Sequence, residues 1–426
     1  MTRVVPKAPP WFRVRHYLHF DNPLGARSAQ RIAGDAACVE HHAFYPLIHT
    51  VVTTIKVEKN KQTGKIEQKQ KNRDIAYAAH ADSHIYAYYA HLLNQRYEEL
   101  LTERGLTGCV LAFRPLGKSN VTFAQEAFDE ILKRQHCDVV AFDIKGFFDH
   151  LDHKILKDAW QRVLDTKRLP ADHYNVYKSV TRWARVDKHG LYKQLGISRH
   201  NPKKGRRRLC TPDIFRQKVR PHIERNQFQK GIPQGTPISA TLSNIYLLWF
   251  DEQLHALAQQ LDARYLRYCD DIIVIGPPAS AQTIKNYVTE RVADVKLELQ
   301  HDKTDERTFT PNNGRLHTSG PLQYLGFLFD GKHIRIRPSS IARYCDRMRR
   351  GIATAKNTSA KYNYARAKRH HQNKPLYRKK IYRRYAYLGR RNFISYAYNA
   401  ANRMSAKAIK RQLKPLLRKL TTALKK

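Results

Sequence analysis

Six cysteines are scattered over 426 residues (Cys38, Cys109, Cys137, Cys210, Cys269 and Cys345), with no CxxC pair. That spacing excludes a zinc ribbon and a disulfide framework, and it suits a reducing cytosol. No apolar run approaches the roughly 18 residues that a membrane span needs. The opening MTRVVPKAPPWFRVRHYLHF lacks the apolar core of a signal peptide. Walker A, HExxH and HNH-type or cysteine-rich endonuclease signatures are absent as well. The deepest shortage is of acid. Lysine and arginine number 78 against 36 aspartates and glutamates, a net charge of +42 and a pI near 10.1. Such an excess repels itself unless a polyanion neutralises it, so nucleic acid is the expected partner, with no membrane role. From Arg335 to Lys426 there are 28 basic residues and a single acid, Asp346.

This tail is also rich in tyrosine, whereas disordered basic tails are poor in aromatics. Tyr377, Ile381, Tyr385 and Leu388 fall at helical spacing, ending before Gly389. Phe393, Tyr396, Ala397, Ala400 and Met404 form a second stripe. The tail therefore reads as a folded, helical, basic module that lies along phosphates.

Upstream, Val51 to Val57 has strand character, followed by the turn KNKQTGK and a second segment ending near Arg73. Ser83 to Glu103 is helical in pattern. A short buried strand is expected from Asp138 to Phe148 and a helix start near Asp152. The stretch from Leu156 to Gln229 reads as mostly helical and basic, with KKGRRR (Lys203 to Arg208) as an exposed loop. A helix from Ala240 to Leu257, strands around Asp270, a helix over Gln282 to Val295 and strands from Leu297 to Ile336 complete the pass. Strands and helices mixed in this order predict an α+β fold.

Two adjacent aspartates, Asp270 and Asp271, sit at the edge of the β-branched run Ile272 to Ile275. Taken alone, such a pair is either a turn or cap feature or a metal site. Asp143 is the only acid in the apolar run Val139 to Phe148. Two-metal phosphoryl transfer needs carboxylates from different strands, and these three would supply them. Between them, GIPQGTPIS (Gly231 to Ser239) is a turn that lets backbone approach a ligand. In DHLDH (Asp149 to His153), Asp152 reads as a helix cap and the histidines as residues of its face, not as metal ligands.

In order along the chain, FDIKGFFDHLDH, GIPQGTPISATLSNIYL and RYCDDIIVIG resemble motifs A, B and C of reverse transcriptases. They are most similar to the bacterial lineage of group II intron, retron and defence-associated enzymes. AFRPLGKSN (Phe113 to Asn120) resembles the fingers–palm segment, LQHDKT (Leu299 to Thr304) motif D, and YLGF (Tyr324 to Phe327) the primer grip. YRRYAYLGRRNFISYAYNAA (Tyr382 to Ala401) is similar to the thumb of the defence-associated enzymes. The resemblance spans roughly Val51 to Met404.

It implies Asp143, Asp270 and Asp271 as catalytic ligands of two Mg²⁺ ions. Phe148, five residues after Asp143, falls at the steric-gate position that favours deoxynucleotides. Gln234 and Gly235 would lie by nucleotide and template, and Lys303 would protonate pyrophosphate. Arg73 and Lys56 fall near the family's triphosphate-binding positions, although Asp74 replaces the usual proline. Leu325, Gly326 and Phe327 would form the primer grip, and Arg383, Arg384, Arg390 and Arg391 would bind nucleic acid.

The implied architecture is a right-hand polymerase: fingers (1–108), palm with motif A (109–154), a basic fingers/palm insertion (155–228), palm (229–334) and a helical basic thumb (335–426). The expected activity is RNA-directed DNA polymerisation from dNTPs in the bacterial cytoplasm. The chain would copy a dedicated structured non-coding RNA in anti-phage defence and hold an RNA–DNA duplex. The alternatives are a retron-type or group II intron enzyme or splicing cofactor, and a non-catalytic RNA-binding protein with a polymerase fold.

Overall fold

Two short apolar segments, Cys137–Asp143 and Asp271–Gly276, pair at the centre of the molecule, and the rest is arranged around them. In the computed structural model, residues 8–59 and 66–425 are described, with backbone alone at 56–59 and 66–69. The KNKQTGK turn, beyond its first residue, lies outside the described residues.

A long hairpin pairs β1 (Leu47–Lys59) with β2 (Ile66–Tyr77), antiparallel, with Val52 opposite Arg73. Helix α1 (His80–Glu103) follows. Next come α2 (Asn120–Arg134), started by a Ser119–Thr122 capping box, and β3 (Cys137–Asp143). Asp152 caps α3 (His153–Leu164), accepting from the amides of Lys154 and Ile155, as its position in the sequence suggests. The basic stretch that follows is less helical than expected. It holds β4 (Ala184–Asp187), parallel to β1, and a short strand, Glu224–Arg225, beside it.

The helical pattern over Ala240–Leu257 is two helices, α4 (Ser239–Tyr246) and α5 (Leu248–Gln260), meeting at Leu247. A hairpin of β5 (Arg264–Tyr268) and β6 (Asp271–Gly276) comes next, then α6 (Ala281–Asp294). With β7 (Asp305–Asn312) and β8 (Arg315–His317), the central antiparallel sheet has the order β5-β6-β3-β7-β8. A three-stranded sheet follows: β9 (Leu322–Tyr324), β10 (Phe327–Phe329) and β11 (Ile334–Ile336). Four helices end the chain: α7 (Pro338–Ala367), α8 (Arg378–Tyr385), α9 (Phe393–Arg403) and α10 (Lys407–Lys425).

The unbroken apolar character of β3 and β6 has a plain cause, since both faces of the sheet are covered. Val140, Phe142, Ile272 and Val274 enter one core with α1, α3, α4 and α5. Val139, Ala141, Ile273 and Ile275 enter a second core, built from α2, the small sheet and the C-terminal helices. The C-terminal helices thus share a core with the sheet. Helix α8 stops at Tyr385, short of Gly389, and leaves Tyr377 and Leu388 exposed, contrary to the expected stripe. Gly389 serves a close approach instead, because a Cβ there would collide with the Arg383 carbonyl.

One fully buried ion pair stitches the sheet to the helices. Arg267 grips both Asp251 oxygens at 2.6 Å, and neither side chain has any solvent exposure. Tyr265 donates to Asp251 at 2.6 Å, and Arg267 also donates to Asn244 and to the Cys269 carbonyl at 3.2 and 3.1 Å. Arg267→Ala strands a buried carboxylate and is expected to cost about 3–5 kcal/mol in denaturant unfolding. Arg267→Met combined with Asp251→Leu should recover at least half of that loss. A double variant no more stable than Arg267→Ala would show that the cost is not an uncompensated charge.

Candidate active site

Register places the first two carboxylates. In the β3–β6 ladder Asp143 stands directly opposite Asp271. Antiparallel partners project their side chains to the same face about 5 Å apart. Tyr268 pairs with Asp271 across the β5–β6 hairpin, so Cys269 and Asp270 form its two-residue turn. Cys269 adopts φ +60°, a left-handed conformation that a side-chain-bearing residue holds only when its surroundings impose it. Two contacts do so here. Arg267 holds the Cys269 carbonyl from below, and the Ile144 amide donates to the Asp270 carbonyl at 3.3 Å. The turn is thereby tied to the residue that follows Asp143.

Electrostatics mark the price of this arrangement. Burial pushes the Asp271 carboxyl up to about 7, helped by the charges of Asp270 and Asp143 and opposed by Lys303 and Arg337. Asp270 is raised too, first by burial and then by Asp143. The Lys303 ammonium pairs with Asp143 Oδ1. Among the described residues no three carboxylate, imidazole or thiolate groups are gathered tightly enough to enclose an ion. The donor chemistry nonetheless fits a hard divalent cation, since only carboxylate oxygens converge, their charges oppose one another, and one lysine supplies the counter-charge.

The other expected residues take varied positions. Gly146, with φ +53°, turns the chain after β3; Phe147 then goes into the core and Phe148 stays half-buried beside the turn. The Phe148 carbonyl accepts from Ile232 at 2.9 Å, which brings the Gly231–Ser239 turn against it. That turn also leans on the long hairpin. Gln234 accepts from the Ala76 amide at 2.8 Å, and Gly235, at φ +116°, has no room for a Cβ, which would lie 2.7 Å from the Ala76 carbonyl. Ser239 locks the turn by donating to the Pro233 carbonyl at 2.5 Å.

Arg73 lies on the exposed hairpin and touches Thr54 Oγ1 at 3.5 Å; the side chain of Lys56 lies outside the described residues. Asp74, in place of the usual proline, is paired with His49 and Arg185, each at 3.3 Å. His150 and His153 bond the backbone carbonyls of Lys145 and Gly231; His153 begins the helix that Asp152 caps, whereas His150 lies ahead of it, contrary to the expectation that both sit on its face. Leu325 and Gly326 form the positive-φ turn between β9 and β10, and Phe327 is fully buried under it. Arg383, Arg384, Arg390 and Arg391 are all exposed on the C-terminal module, away from the carboxylates in the chain but on one continuous basic segment.

Three contributors went unnoticed in the sequence. Asn120 donates to the Leu325 carbonyl at 3.2 Å and to Tyr396 Oη at 2.9 Å, joining the β9–β10 turn to α9. Its place at the end of AFRPLGKSN was the available signal. Arg337 donates its amide to the Gly326 carbonyl at 3.0 Å and reaches Asp271 electrostatically, while its buried Nε has no hydrogen-bond partner. Partial burial, then Arg337, Arg347 and Arg73, pull the Arg343 guanidinium below its usual range, so Arg337 belongs to a cluster of arginines and is the one among them that acts on Asp271. Nothing in the local sequence sets Arg337 or Arg267 apart from the many other arginines.

Carboxylates on neighbouring antiparallel strands, backed by a glycine-bearing turn and reached by Lys303 and Arg337, are the arrangement expected of a nucleotidyl-transfer palm. The model of the reverse transcriptase (RNA-dependent DNA polymerase) family matches residues 109–329, and the chain belongs to that family. No curated protein sequence matches the chain significantly. Among solved structures, apo telomerase from Candida tropicalis truncated from its C-terminal domain is similar at 12% identity, over 67% of this chain and 57% of that one, with a TM-score of 0.41. Telomerase from Candida albicans in complex with a TWJ fragment of telomeric RNA is similar at 13% identity, over 68% and 47%, with a TM-score of 0.39. The chain spans about half the length of these structures.

Because the folded Asp271 carboxyl holds its proton up to about pH 7, it favours the fold below its unfolded value and loses that contribution as pH rises through 7. In chelator at pH 8, Asp271→Asn should therefore raise the melting temperature by about 2–4 °C over wild type, and the difference should vanish near pH 4. Added Mg²⁺ should stabilise wild type more than the variant. A variant that melts lower than wild type at pH 8 in chelator would refute carboxylate repulsion at this site.

Proposed function

We propose that the chain is an RNA-directed DNA polymerase that works by two-metal nucleotidyl transfer. The observation that carries this reading is the register of Asp143 opposite Asp271, with Asp270 held in the adjoining turn. Asp143, Asp270 and Asp271 would hold two Mg²⁺ ions. When bound, these lower the pKa of a primer 3′-hydroxyl and neutralise the triphosphate. The chain's own groups would do the rest. Phe148 crowds a ribose 2′-hydroxyl and so favours dNTPs. Gln234 and Gly235 present backbone to the incoming nucleotide. Lys303 would give a proton to pyrophosphate once its pairing with Asp143 is relieved. The Leu325–Phe327 turn, anchored by Asn120 and Arg337, supports the primer end. Residues 1–108 and 155–228 would serve as fingers and 335–426 as the thumb, its arginines meeting the duplex through phosphates.

The finer reading is of a bacterial, cytoplasmic, defence-associated enzyme that copies a dedicated structured RNA. The likeness of Tyr382 to Ala401 to the thumb of such enzymes supports it, as does the surplus of positive charge.

Asp270→Ala with Asp271→Ala should abolish dNTP incorporation on a primed RNA template while RNA binding in a filter assay persists. Undiminished incorporation would sink the assignment. For the biological role, bacteria carrying the gene with its neighbouring loci should show reduced phage plaquing, and the same double variant should lose the protection. Equal plaque counts with and without the wild-type gene would remove the defence reading and leave the polymerase intact.

A further inference from the structure

The longest helix leaves the body of the protein. After Ile352, the last buried residue of α7, no residue is buried until Ile381 in α8. Lys356 makes a last contact with α10, donating to the Ala423 carbonyl at 3.2 Å. From there to Ala367 the helix runs on for about 15 Å. The chain then returns along it. Asn363 clamps Lys374 in both directions, at 2.8 and 2.9 Å, and Arg366 donates to the Gln372 carbonyl at 2.8 Å. The product is a stiff arm with its own internal hydrogen bonds.

Its surface chemistry is one-sided. Residues 353–380 contain nine lysines and arginines and no acid. Tyr362, Tyr364 and Tyr377 are exposed by 69, 65 and 66% respectively. Tyr362 and Tyr364 are two positions apart on a helix, hence on nearly opposite faces, so neither face is covered by the protein. Lys368 sits over the Tyr364 ring at 4.8 Å. Backbone contacts to a duplex need cations, not exposed rings, because paired bases are already stacked. Rings interleaved with cations instead suit unpaired nucleotides, whose bases lie on aromatic faces while the backbone follows the charge.

We propose that this arm, residues 353–380, binds a single-stranded segment of RNA by base stacking on Tyr362, Tyr364 and Tyr377. Its ligand is thus distinct from the template–primer duplex. The inference deepens the polymerase reading and rests on it: the arm would hold an unpaired region of the RNA being copied or of its scaffold.

The test uses the full chain and two fluorescein-labelled probes, a single-stranded RNA of about 16 nucleotides and a blunt RNA–DNA hybrid of the same length. Tyr362→Ala with Tyr364→Ala should weaken single-strand binding at least tenfold and hybrid binding less than twofold, with the salt slope unchanged. Tyr362→Phe with Tyr364→Phe should restore the affinity, since stacking needs the ring alone. Extension of a pre-annealed primer should proceed at the wild-type rate in both variants. Unaltered single-strand affinity, an equal loss on the hybrid, or failure of the phenylalanine pair to rescue would each overturn the inference. Loss of extension in the wild type with intact arm binding would instead discard the polymerase reading alone.

Discussion

The repulsion between Asp143 and Asp271 is the constraint around which the molecule is organised. Two carboxylates opposite each other in a ladder disfavour that register, and only the apolar strand that carries each of them holds it in place. A slip of one residue would put Phe142 and Ile272 on the wrong face and empty both cores at once. The cores therefore enforce a local arrangement that electrostatics opposes, and the carboxyl of Asp271 registers the conflict in its elevated pKa. A divalent cation held there, as the proposed function requires, would remove that disagreement.

The surroundings of the turn make the same point with different chemistry. Cys269 takes a left-handed conformation because Arg267 grips its carbonyl, and Arg267 is itself held by a buried Asp251. Asp251 and Asn244 lie on the two helices that follow the glycine-bearing turn. One hydrogen-bonded network thus connects the helices that follow the Gly231–Ser239 turn to the carboxylate turn. Such a network rigidifies when complete and is costly when broken. The small sheet is linked to the C-terminal helices in a similar way, through Asn120 and Arg337 at the Leu325–Gly326 turn.

Charge is divided between two kinds of work. Around the carboxylates, Lys303 and Arg337 oppose buried negative charge. In the arm that α7 forms beyond Ile352, cations stand beside exposed tyrosines with no acid to balance them.

By itself the sequence determined the elements, the α+β class and the three aspartates with their order. The reason is that apolar periodicity, a helix-capping aspartate and an acid alone in an apolar strand are local signals. The Asp152 cap, a buried strand carrying Asp143 and the helical C-terminal module were all legible in this way, although that strand ends at Asp143 and not at Phe148. Helix α8 was misjudged at both ends, because Tyr377 and Leu388 matched a helical stripe while facing solvent, and no pattern reveals which face is covered. The break at Leu247 and the strands β4 and Glu224–Arg225 were hidden for the same reason, being set by neighbours far away in the chain. Only the tertiary structure decided which carboxylates face each other, which of many arginines meets Asp271, and that half of α7 stands free. Register, burial and the pairing of like residue types depend on distant partners, and a composition as basic as this one makes every arginine look alike until the fold chooses between them.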